Sequence, residues 1–300
     1  MAPSARPRLL LLGKTGQVGF ELERALAPLG DVIALARSQA DLSRPETLGA
    51  VVRAHRPTCI VNAAAHTAVD QAEQEEALAL RINGEAPGVL AEEAKRCGAL
   101  LVHYSTDYVF DGSRSEAYRE DDPPAPLNAY GRTKLAGERA IQAAGGLHLI
   151  FRTSWVYGAR GRNFYLTMRR LLRERPELRI VDDQVGAPTW SRAIAQATAQ
   201  VLAQVLGPRP VLAPAAVSGL YHMTAAGETS WYGFAQAILA LHAPPPGTPP
   251  PRLVPIPARD YPTPARRPLH ARLDNGRLRA IFGVALADWK AALAQVAQEG

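Results

Sequence analysis

The sequence predicts an α/β protein with a doubly wound parallel sheet and a smaller, mixed α/β region on its C-terminal side. The apolar run Leu9–Leu12 ends in a glycine-rich turn, Gly13–Gly19. Strand-like and helix-like segments then alternate to about residue 152, beyond which the pattern becomes irregular and prolines gather. Regular alternation is typical of parallel strands joined by right-handed crossover helices. The architecture is therefore of the Rossmann type.

Each predicted strand is a short, mostly apolar run, as expected where helices cover both faces of a sheet. The strands are predicted at Leu9–Leu12, Asp31–Leu35, Thr58–Asn62, Ala99–Ser105 and Leu147–Arg152. Apolar residues recur at helical spacing between them. This spacing predicts helices at Val18–Leu29, Pro45–His55, Asp70–Arg81, Gly84–Arg96 and Asn128–Ala144.

Two parts of the chain are distinguished by this change of pattern. Residues 1–155 are expected to form a dinucleotide-binding domain, to which some later segments return. Residues 156–300 are expected to bind mainly the substrate, packed over the strand ends where doubly wound folds bind ligands. The proline-rich segment Ala243–Pro251 predicts a stiff, exposed connection within this second part.

Composition narrows the classes of function. No apolar run approaches the ~20 residues of a membrane span, and Met1–Arg8 lacks the apolar core of a secretory signal. We therefore expect a cytoplasmic protein without a membrane partner. The net charge of +6 suits a polyanionic ligand such as a nucleotide. Nucleic acid is the competing ligand, but no basic cluster interleaved with aromatic residues supports it.

The glycine-rich turn predicts a dinucleotide site. Gly13, Gly16 and Gly19 allow a tight turn, close approach of a pyrophosphate and close packing of helix on strand. The helix that follows would direct its N-terminus at the phosphates. The residues of this turn assigned to cofactor binding are Gly13, Thr15, Gly16, Gln17, Val18 and Gly19.

The end of the second strand bears on the choice of cofactor. An acidic residue there would bind the adenosine ribose and favour NADH. The chain has Ala36 and Arg37 instead. Arg37 can pair with a 2′-phosphate, which favours NADPH, although an exposed arginine in an arginine-rich chain is nearly as good an explanation. Asp41 and Leu42 lie where a pair of residues can flank the adenine.

Two further strand ends carry candidate site residues. Small residues after the third strand leave room for a flat cofactor beside the backbone, and they are Ala63, Ala64 and Ala65, followed by His66 and Thr67. His66 is either a catalytic base or a residue at the cofactor edge, and the second role is favoured. After the fourth strand, Thr106 is positioned to hydrogen-bond a reacting oxygen and Asp107 to hold a sugar hydroxyl.

Tyr130 and Lys134 are four residues apart and so share one face of a helix. A lysine ammonium there can lower the pKa of the phenol and let tyrosine act as an acid. A dinucleotide site beside a tyrosine acid predicts hydride transfer to a carbonyl, or the reverse.

The order of these segments resembles the extended short-chain dehydrogenase/reductase superfamily, and within it the dTDP-4-dehydrorhamnose reductases. The similarity covers nearly the whole chain. The matching segments are 13–19, 61–70, 103–112, 126–138, 151–158, 183–189, 219–222 and 261–268. The resemblance implies reduction of a dTDP-4-keto sugar by NADPH or NADH. It also suggests a homodimer, since members are often dimers.

The resemblance also implies roles for individual residues. Thr106, Tyr130 and Lys134 would form a catalytic triad, and Tyr104 would join the cofactor site. Trp155 would contact the sugar together with Thr106, Asp107 and Tyr130. Arg266 and Arg267 would help to bind the nucleotide part of the substrate, since adjacent arginines in a proline-fixed loop suit a diphosphate; a solvated basic loop is the alternative.

Two features of the sequence refine this expectation. Related dehydratases follow the catalytic threonine with Asp-Glu, whereas Tyr108 follows Asp107 here, which disfavours dehydration. Some reductases are described with Mg²⁺ held by acidic residues. Glu21 fits one such position but Arg192 stands at another, so we expect no metal. The alternatives left open are a regulatory subunit of methionine adenosyltransferase, another nucleotide-sugar reductase, and a nucleotide-sugar epimerase.

Overall fold

The computed structural model describes residues 6–242 and 249–299. The strands, in chain order, are β1 (Arg8–Leu12), β2 (Asp31–Leu35), β3 (Cys59–Asn62), β4 (Leu100–Thr106), β5 (His148–Thr153), β6 (Val156–Tyr157), β7 (Glu177–Val181), β8 (Val185–Gly186), β9 (Thr189–Trp190), β10 (Gly219–His222), β11 (Thr229–Ser230) and β12 (Arg252–Ile256). The helices are α1 (Gln17–Leu26), α2 (Pro45–His55), α3 (Val69–Ala72), α4 (Glu76–Leu80), α5 (Ala86–Cys97), α6 (Ala129–Ala144), α7 (Phe164–Glu174), α8 (Ser191–Leu206), α9 (Pro214–Val217), α10 (Trp231–Leu241), α11 (Gly276–Phe282) and α12 (Trp289–Ala297).

The central element is a six-stranded sheet in the order β10-β5-β4-β3-β1-β2, and all its pairs are parallel. The chain runs from β1 outwards to β2 and then returns to β3 on the other side of β1. The crevice beyond the carboxyl ends of β1 and β3 is thus the topological switch point, where such folds bind ligands. The predicted fold class is confirmed, and the five predicted strands agree with the observed ones to within one residue at each end.

Two helical layers cover the sheet. Along β1, Leu9 and Leu11 face one side and pack with α1 and α8, while Leu10 and Leu12 face the other side, toward α2, α5 and α6. This alternation follows from the two-residue period of a strand. Helix α8 lies beyond residue 155, so the second half of the chain completes one layer over the sheet.

The sixth strand of the sheet was not predicted. In β10, Leu220 pairs with Ile150 and Tyr221 with Phe151 of β5. Four residues are too few for a recognisable period, and the partner strand lies about 70 residues away. Pairing of this kind depends on tertiary contacts that a local pattern does not contain.

The predicted single helix over Asp70–Arg81 is wrong. The segment forms two short helices, α3 and α4, and continues through a π-helical turn at Arg81–Glu85 into α5. The Asn83 amide in that turn donates from Nδ2 to the His66 carbonyl, and its Oδ1 accepts from the His66 backbone amide. The π-helical turn thus coincides with two hydrogen bonds that hold the loop after β3 to Asn83.

A second core lies beside the sheet, in the later part of the chain. It is built on aromatic side chains from β6, α7, α10 and α12, including Tyr157, Tyr165, Phe234 and Trp289. Residues 243–248 of the predicted proline-rich connection lie outside the described residues. Within the described ranges, no helix is long and apolar enough to cross a membrane.

Candidate active site

A cavity of about 530 Å³ opens at the carboxyl ends of β1, β3, β4 and β5. All but two of the predicted cofactor-binding residues line it: Gly13, Thr15, Gly16, Gln17, Val18, Arg37, Asp41, Leu42, Ala63, Ala64, Ala65, Thr67, Tyr104, Tyr130 and Lys134. Thr106, Asp107 and Trp155, predicted on the substrate side, line it as well. The fold therefore brings together residues that are more than 200 positions apart in the chain, from Gly13 to Trp231.

The glycine-rich turn forms one end of the cavity. Gly13 has φ of +86°, and a Cβ there would lie 2.8 Å from the Ala64 backbone nitrogen. Gly19 does not line the cavity, because it faces the turn itself, where a Cβ would lie 2.0 Å from the Gly13 carbonyl oxygen. Helix α1 begins after Gly16 without a side-chain cap, so its first backbone N–H groups are available to an anion.

Arg37 and Asp41 line the cavity in the segment that follows β2. Arg37 Nε lies 3.3 Å from Asp41 Oδ1, and the arginine side chain is 73% exposed. The same carboxylate oxygen accepts from the backbone amide and the hydroxyl of Ser43. An exposed pair of this kind is weak, so Arg37 can leave Asp41 for a phosphate at little cost.

Tyr130 lies in the first turn of α6. The helix is capped by Asn128, whose Oδ1 accepts from the Gly131 amide at 2.8 Å. Gly131 lets the helix approach the loop after β4, since a Cβ there would lie 2.2 Å from the Tyr108 carbonyl oxygen. Burial raises the pKa of Tyr130 to about 12, while a hydrogen bond with Thr106 lowers it and the charge of Asp107 raises it. The structure therefore holds Tyr130 protonated.

Lys134 follows one turn later and is fully buried. Its Nζ donates to the Tyr104 carbonyl at 2.6 Å and lies 3.1 Å from His103 Nε2. Burial lowers the pKa of Lys134 to about 8, against the opposing charge of Glu138. Burial is the largest influence on both groups, raising the pKa of Tyr130 and lowering that of Lys134, and an effect of the Lys134 ammonium on the pKa of Tyr130 stays a prediction.

Asp107 presents a buried carboxyl to the cavity. Thr106 Oγ1 donates to Asp107 Oδ1 at 2.9 Å, while Oδ2 is buried and has no hydrogen-bond partner among the described residues. Burial raises the pKa of Asp107 to about 7. An unsatisfied carboxylate oxygen destabilises the free protein and is suited to bind a donor from a ligand, such as a sugar hydroxyl.

We expect Asp107→Asn to stabilise the unliganded protein at neutral and alkaline pH. The pKa of about 7 in the folded protein lies above the ordinary value of 3.8, so the favourable contribution of the protonated carboxyl is complete below pH 3.8 and is lost as the pH rises through 7. The asparagine amide does not ionise, so the variant does not lose this stability as the pH rises. The free energy of unfolding in urea should rise by about 2–4 kcal/mol at roughly pH 8, and by less at roughly pH 5. An equal change at both pH values would contradict the assignment.

Two stacked tryptophans, Trp155 and Trp231, line the cavity. Trp155 has φ of +45°, an unfavourable region for a bulky residue, and its ring stacks on Trp231 with centroids 3.5 Å apart and planes 8° from parallel. Gly186 gives the Trp155 ring room, since a Cβ at Gly186 would lie 2.7 Å from it. Trp231 was not predicted, because a tryptophan opening an apolar helix indicates core packing as readily as a site.

Other lining residues were also missed by sequence reasoning. They are Ala40, Val69, Ile82, Ser105, Tyr108, Thr153, Ser154, Val156 and Arg162. Most adjoin residues that were predicted, so proximity along the chain was a usable indication. Thr153 and Ser154 follow β5, and extending the argument from strand ends to that strand would have found them. Arg162 lies in a loop that no sequence motif marks as part of a binding site.

Besides Gly19, three predicted site residues do not line the cavity. His66 lies outside the cavity lining, and its Nε2 is 3.7 Å from Glu75 Oε2. The Arg266 carbonyl accepts from Asn128 Nδ2, and Arg267 makes a two-pronged ion pair with Asp70, at 3.0 and 2.8 Å. The Arg266 carbonyl thus holds this loop to the start of α6, and the Arg267 side chain holds it to α3, through tertiary contacts. At the position considered for a metal, Arg192 Nε donates to Glu21 Oε2 at 2.9 Å.

Comparisons with known proteins agree with this geometry. The model of the family described as the RmlD substrate binding domain matches residues 7–300. A dTDP-4-dehydrorhamnose reductase of Burkholderia thailandensis is 55% identical over 289 residues, which are 95% of this chain and 96% of the relative. One from Escherichia coli K12 is 46% identical over 97% of both chains.

The chain belongs to the dTDP-4-dehydrorhamnose reductase family.

A solved structure of a family member supports the same conclusion. The dTDP-4-dehydrorhamnose reductase of Bacillus anthracis, in complex with NADP, superimposes with a TM-score of 0.89 at 32% identity, covering 98% of this chain and 100% of that one. The resemblance inferred from the sequence is thereby confirmed, and the chain is an NAD(P)-dependent oxidoreductase of this family.

Proposed function

We propose that this chain reduces the 4-keto group of dTDP-4-dehydro-L-rhamnose to dTDP-L-rhamnose with NAD(P)H, the last step of dTDP-rhamnose synthesis for cell-surface polysaccharide. The observation that carries the proposal is the convergence of Thr106, Tyr130 and Lys134 with the glycine-rich turn in one cavity, in a chain of this reductase family. No comparable observation favours the regulatory-subunit or epimerase alternatives.

The residues present fit a dinucleotide. Gly13 leaves a space beside Ala64 that a Cβ would fill, and the first turn of α1 offers uncapped N–H groups for a pyrophosphate. When bound, NAD(P)H supplies the hydride. Gly16, Gln17 and Val18 would hold the phosphates.

The protein's own groups would supply the proton and the orientation. Tyr130, protonated in the free protein, would donate its proton to the developing alkoxide. Thr106 would hydrogen-bond the same oxygen and fix its direction. Lys134 would hold the nicotinamide ribose. Asp107 Oδ2 and the Trp155 ring would hold the sugar, so that the later part of the chain forms the substrate wall. The proposed transfer of hydride and proton does not require a metal.

We further propose that NADPH is preferred, with Arg37 binding the 2′-phosphate. Arg37→Ala should raise the KM for NADPH about tenfold, the loss expected for a charge-assisted hydrogen bond at an exposed site. The KM for NADH should change much less, because that cofactor lacks the phosphate. Initial rates with each cofactor would measure both values. Equal changes for the two cofactors would exclude this role of Arg37.

The function is tested by following the absorbance of the reduced nicotinamide. The substrate would be formed in place from dTDP-4-keto-6-deoxyglucose by a 3,5-epimerase, with NADPH and NADH in parallel. Loss of absorbance together with dTDP-rhamnose as product is the expected result. A dinucleotide that binds without turnover would contradict the proposal and favour a regulatory subunit or a reductase of another sugar.

A further inference from the structure

The stacked pair of Trp155 and Trp231 joins the cavity to the aromatic core beside the sheet. The two indole rings have centroids 3.5 Å apart and planes 8° from parallel. Trp231 also contacts Phe164 of α7, with centroids 4.6 Å apart, and Phe164 stacks on the buried Phe234 of α10 at 5.5 Å. Trp231 is therefore held by the core, and Trp155 is held by Trp231.

The backbone of Trp155 adopts a conformation that a bulky residue rarely takes, with φ of +45°. Its neighbours fix the chain at this point. Ser154 Oγ donates to the Ala187 carbonyl at 2.8 Å, and the Thr189 amide donates to the Trp155 carbonyl at 3.2 Å. Backbone strain of this kind persists where surrounding contacts compensate for it, and it is concentrated at functional sites.

The direction of the Trp155 ring depends on packing. Within the described ranges, its indole nitrogen has no hydrogen-bond partner that would fix the ring. Gly186 leaves space on one side, since a Cβ there would lie 2.7 Å from a ring atom of Trp155. Trp231 contacts a face of the ring directly. The flat contact with Trp231 is thus the main attraction that keeps the Trp155 ring at the cavity.

We propose that Trp231 is a positioning residue that holds the Trp155 ring at the cavity, in the orientation that contacts the sugar. The inference rests on the proposed function, because that function supplies the sugar contact of Trp155. Without the stack, Trp155 is free to leave its strained conformation, and only a fraction of the molecules presents the ring to the sugar. The apparent affinity for the sugar nucleotide then falls by that fraction.

NMR of the ligand-free protein tests the stack without reference to activity. The chain has four tryptophans, Trp155, Trp190, Trp231 and Trp289, so tryptophan-selective labelling gives a short spectrum, and single Trp→Phe variants assign it. We expect nuclear Overhauser effects between the rings of Trp155 and Trp231. Trp231→Leu should shift the Trp155 signals by removing the ring current, whereas Trp289→Leu should not. Absence of the effects in the wild type, or unchanged Trp155 signals in Trp231→Leu, would overturn the proposal.

Steady-state kinetics test the consequence for the sugar. Trp231→Leu should raise the KM for the keto sugar nucleotide about tenfold, the upper range for loss of an aromatic pair. The turnover number and the KM for NADPH should change much less, because Trp155 does not touch the transferred proton. Trp231→Phe keeps an aromatic face and should recover most of the affinity. An unchanged KM, or equal changes in KM and turnover, would contradict a positioning role.

Trp289→Leu is the matched control for general damage to the aromatic core. Trp289 belongs to that core and does not line the cavity, so its variant should keep the KM of the wild type. An equal rise in KM for both leucine variants would show that Trp231 acts only by supporting the fold. Should Trp231→Leu not fold, Trp231→Met repeats the test, because a flexible thioether fills space without a flat ring.

The failure of this inference is distinguishable from failure of the proposed function. A wild-type protein that does not turn over the keto sugar contradicts the proposed function, and the ring contacts seen by NMR then decide whether Trp231 holds Trp155. A wild-type protein that turns over, together with an unchanged KM in Trp231→Leu, contradicts this inference alone.

Discussion

Tyr130→Phe should lower the turnover number by about 10²–10⁴-fold, the usual contribution of a positioned general acid. The substitution removes only the hydroxyl, so the buried ring still fills its place in α6 and dinucleotide affinity should stay within a few-fold. Steady-state rates and a direct binding titration with NADPH measure the two effects separately.

Tyr157→Phe is the matched control for this substitution. Tyr157 is also buried, but its hydroxyl has no partner among the described residues, and it lies in the aromatic core beside the sheet. Its turnover should remain close to that of the wild type. Near-normal turnover by the Tyr130 variant would remove Tyr130 as the acid, whereas equal losses in both variants would point to general damage to the fold.

Glu138→Ala should lower the free energy of unfolding by about 3–5 kcal/mol, the cost of leaving one member of a buried ion pair without its partner. Arg152 Nε and Nη2 donate to the two Glu138 oxygens at 2.9 and 2.6 Å, and the two side chains are 4% and 2% exposed. The pair joins α6, which carries Tyr130 and Lys134, to β5. Urea denaturation followed by circular dichroism measures the change.

Glu174→Ala provides the comparison for an exposed pair of the same chemistry. Glu174 accepts from Arg170 at 2.9 Å one helical turn away, with the side chains 49% and 61% exposed. This substitution should cost no more than about 0.5 kcal/mol. Similar losses at Glu138 and Glu174 would show that burial does not govern the strength of the pair.

The local parts of the site were predictable because single segments encode them. The glycine-rich turn, the small residues after β3 and the Tyr130–Lys134 spacing each require only neighbouring residues. The carboxyl ends of parallel strands lie at one edge of the sheet, so predicting the strands also placed Ala63 and Thr106 at the same edge. Trp231 was missed because a tryptophan at the start of an apolar helix indicates core packing as readily as a site, and its stacking on Trp155 is a tertiary contact.

The charge states and long-range pairs were decided by tertiary structure. Spacing alone suggested a charged Lys134 acting on Tyr130, but burial opposes that charge and raises the pKa of the tyrosine. Arg267 looked free to bind a phosphate in the sequence, yet it is held by Asp70, nearly 200 positions away.

By itself, the sequence determined the parallel sheet, its first five strands, the dinucleotide turn and the acid helix, because strand and helix periods and glycine turns are local properties of the chain. Only the tertiary structure decided the sixth strand, the Trp155–Trp231 stack, the unpartnered oxygen of Asp107 and the contacts of Lys134 with His103 and Tyr104. Each of these depends on burial and on partners distant in sequence, since desolvation and hydrogen-bond direction arise only when the chain is folded.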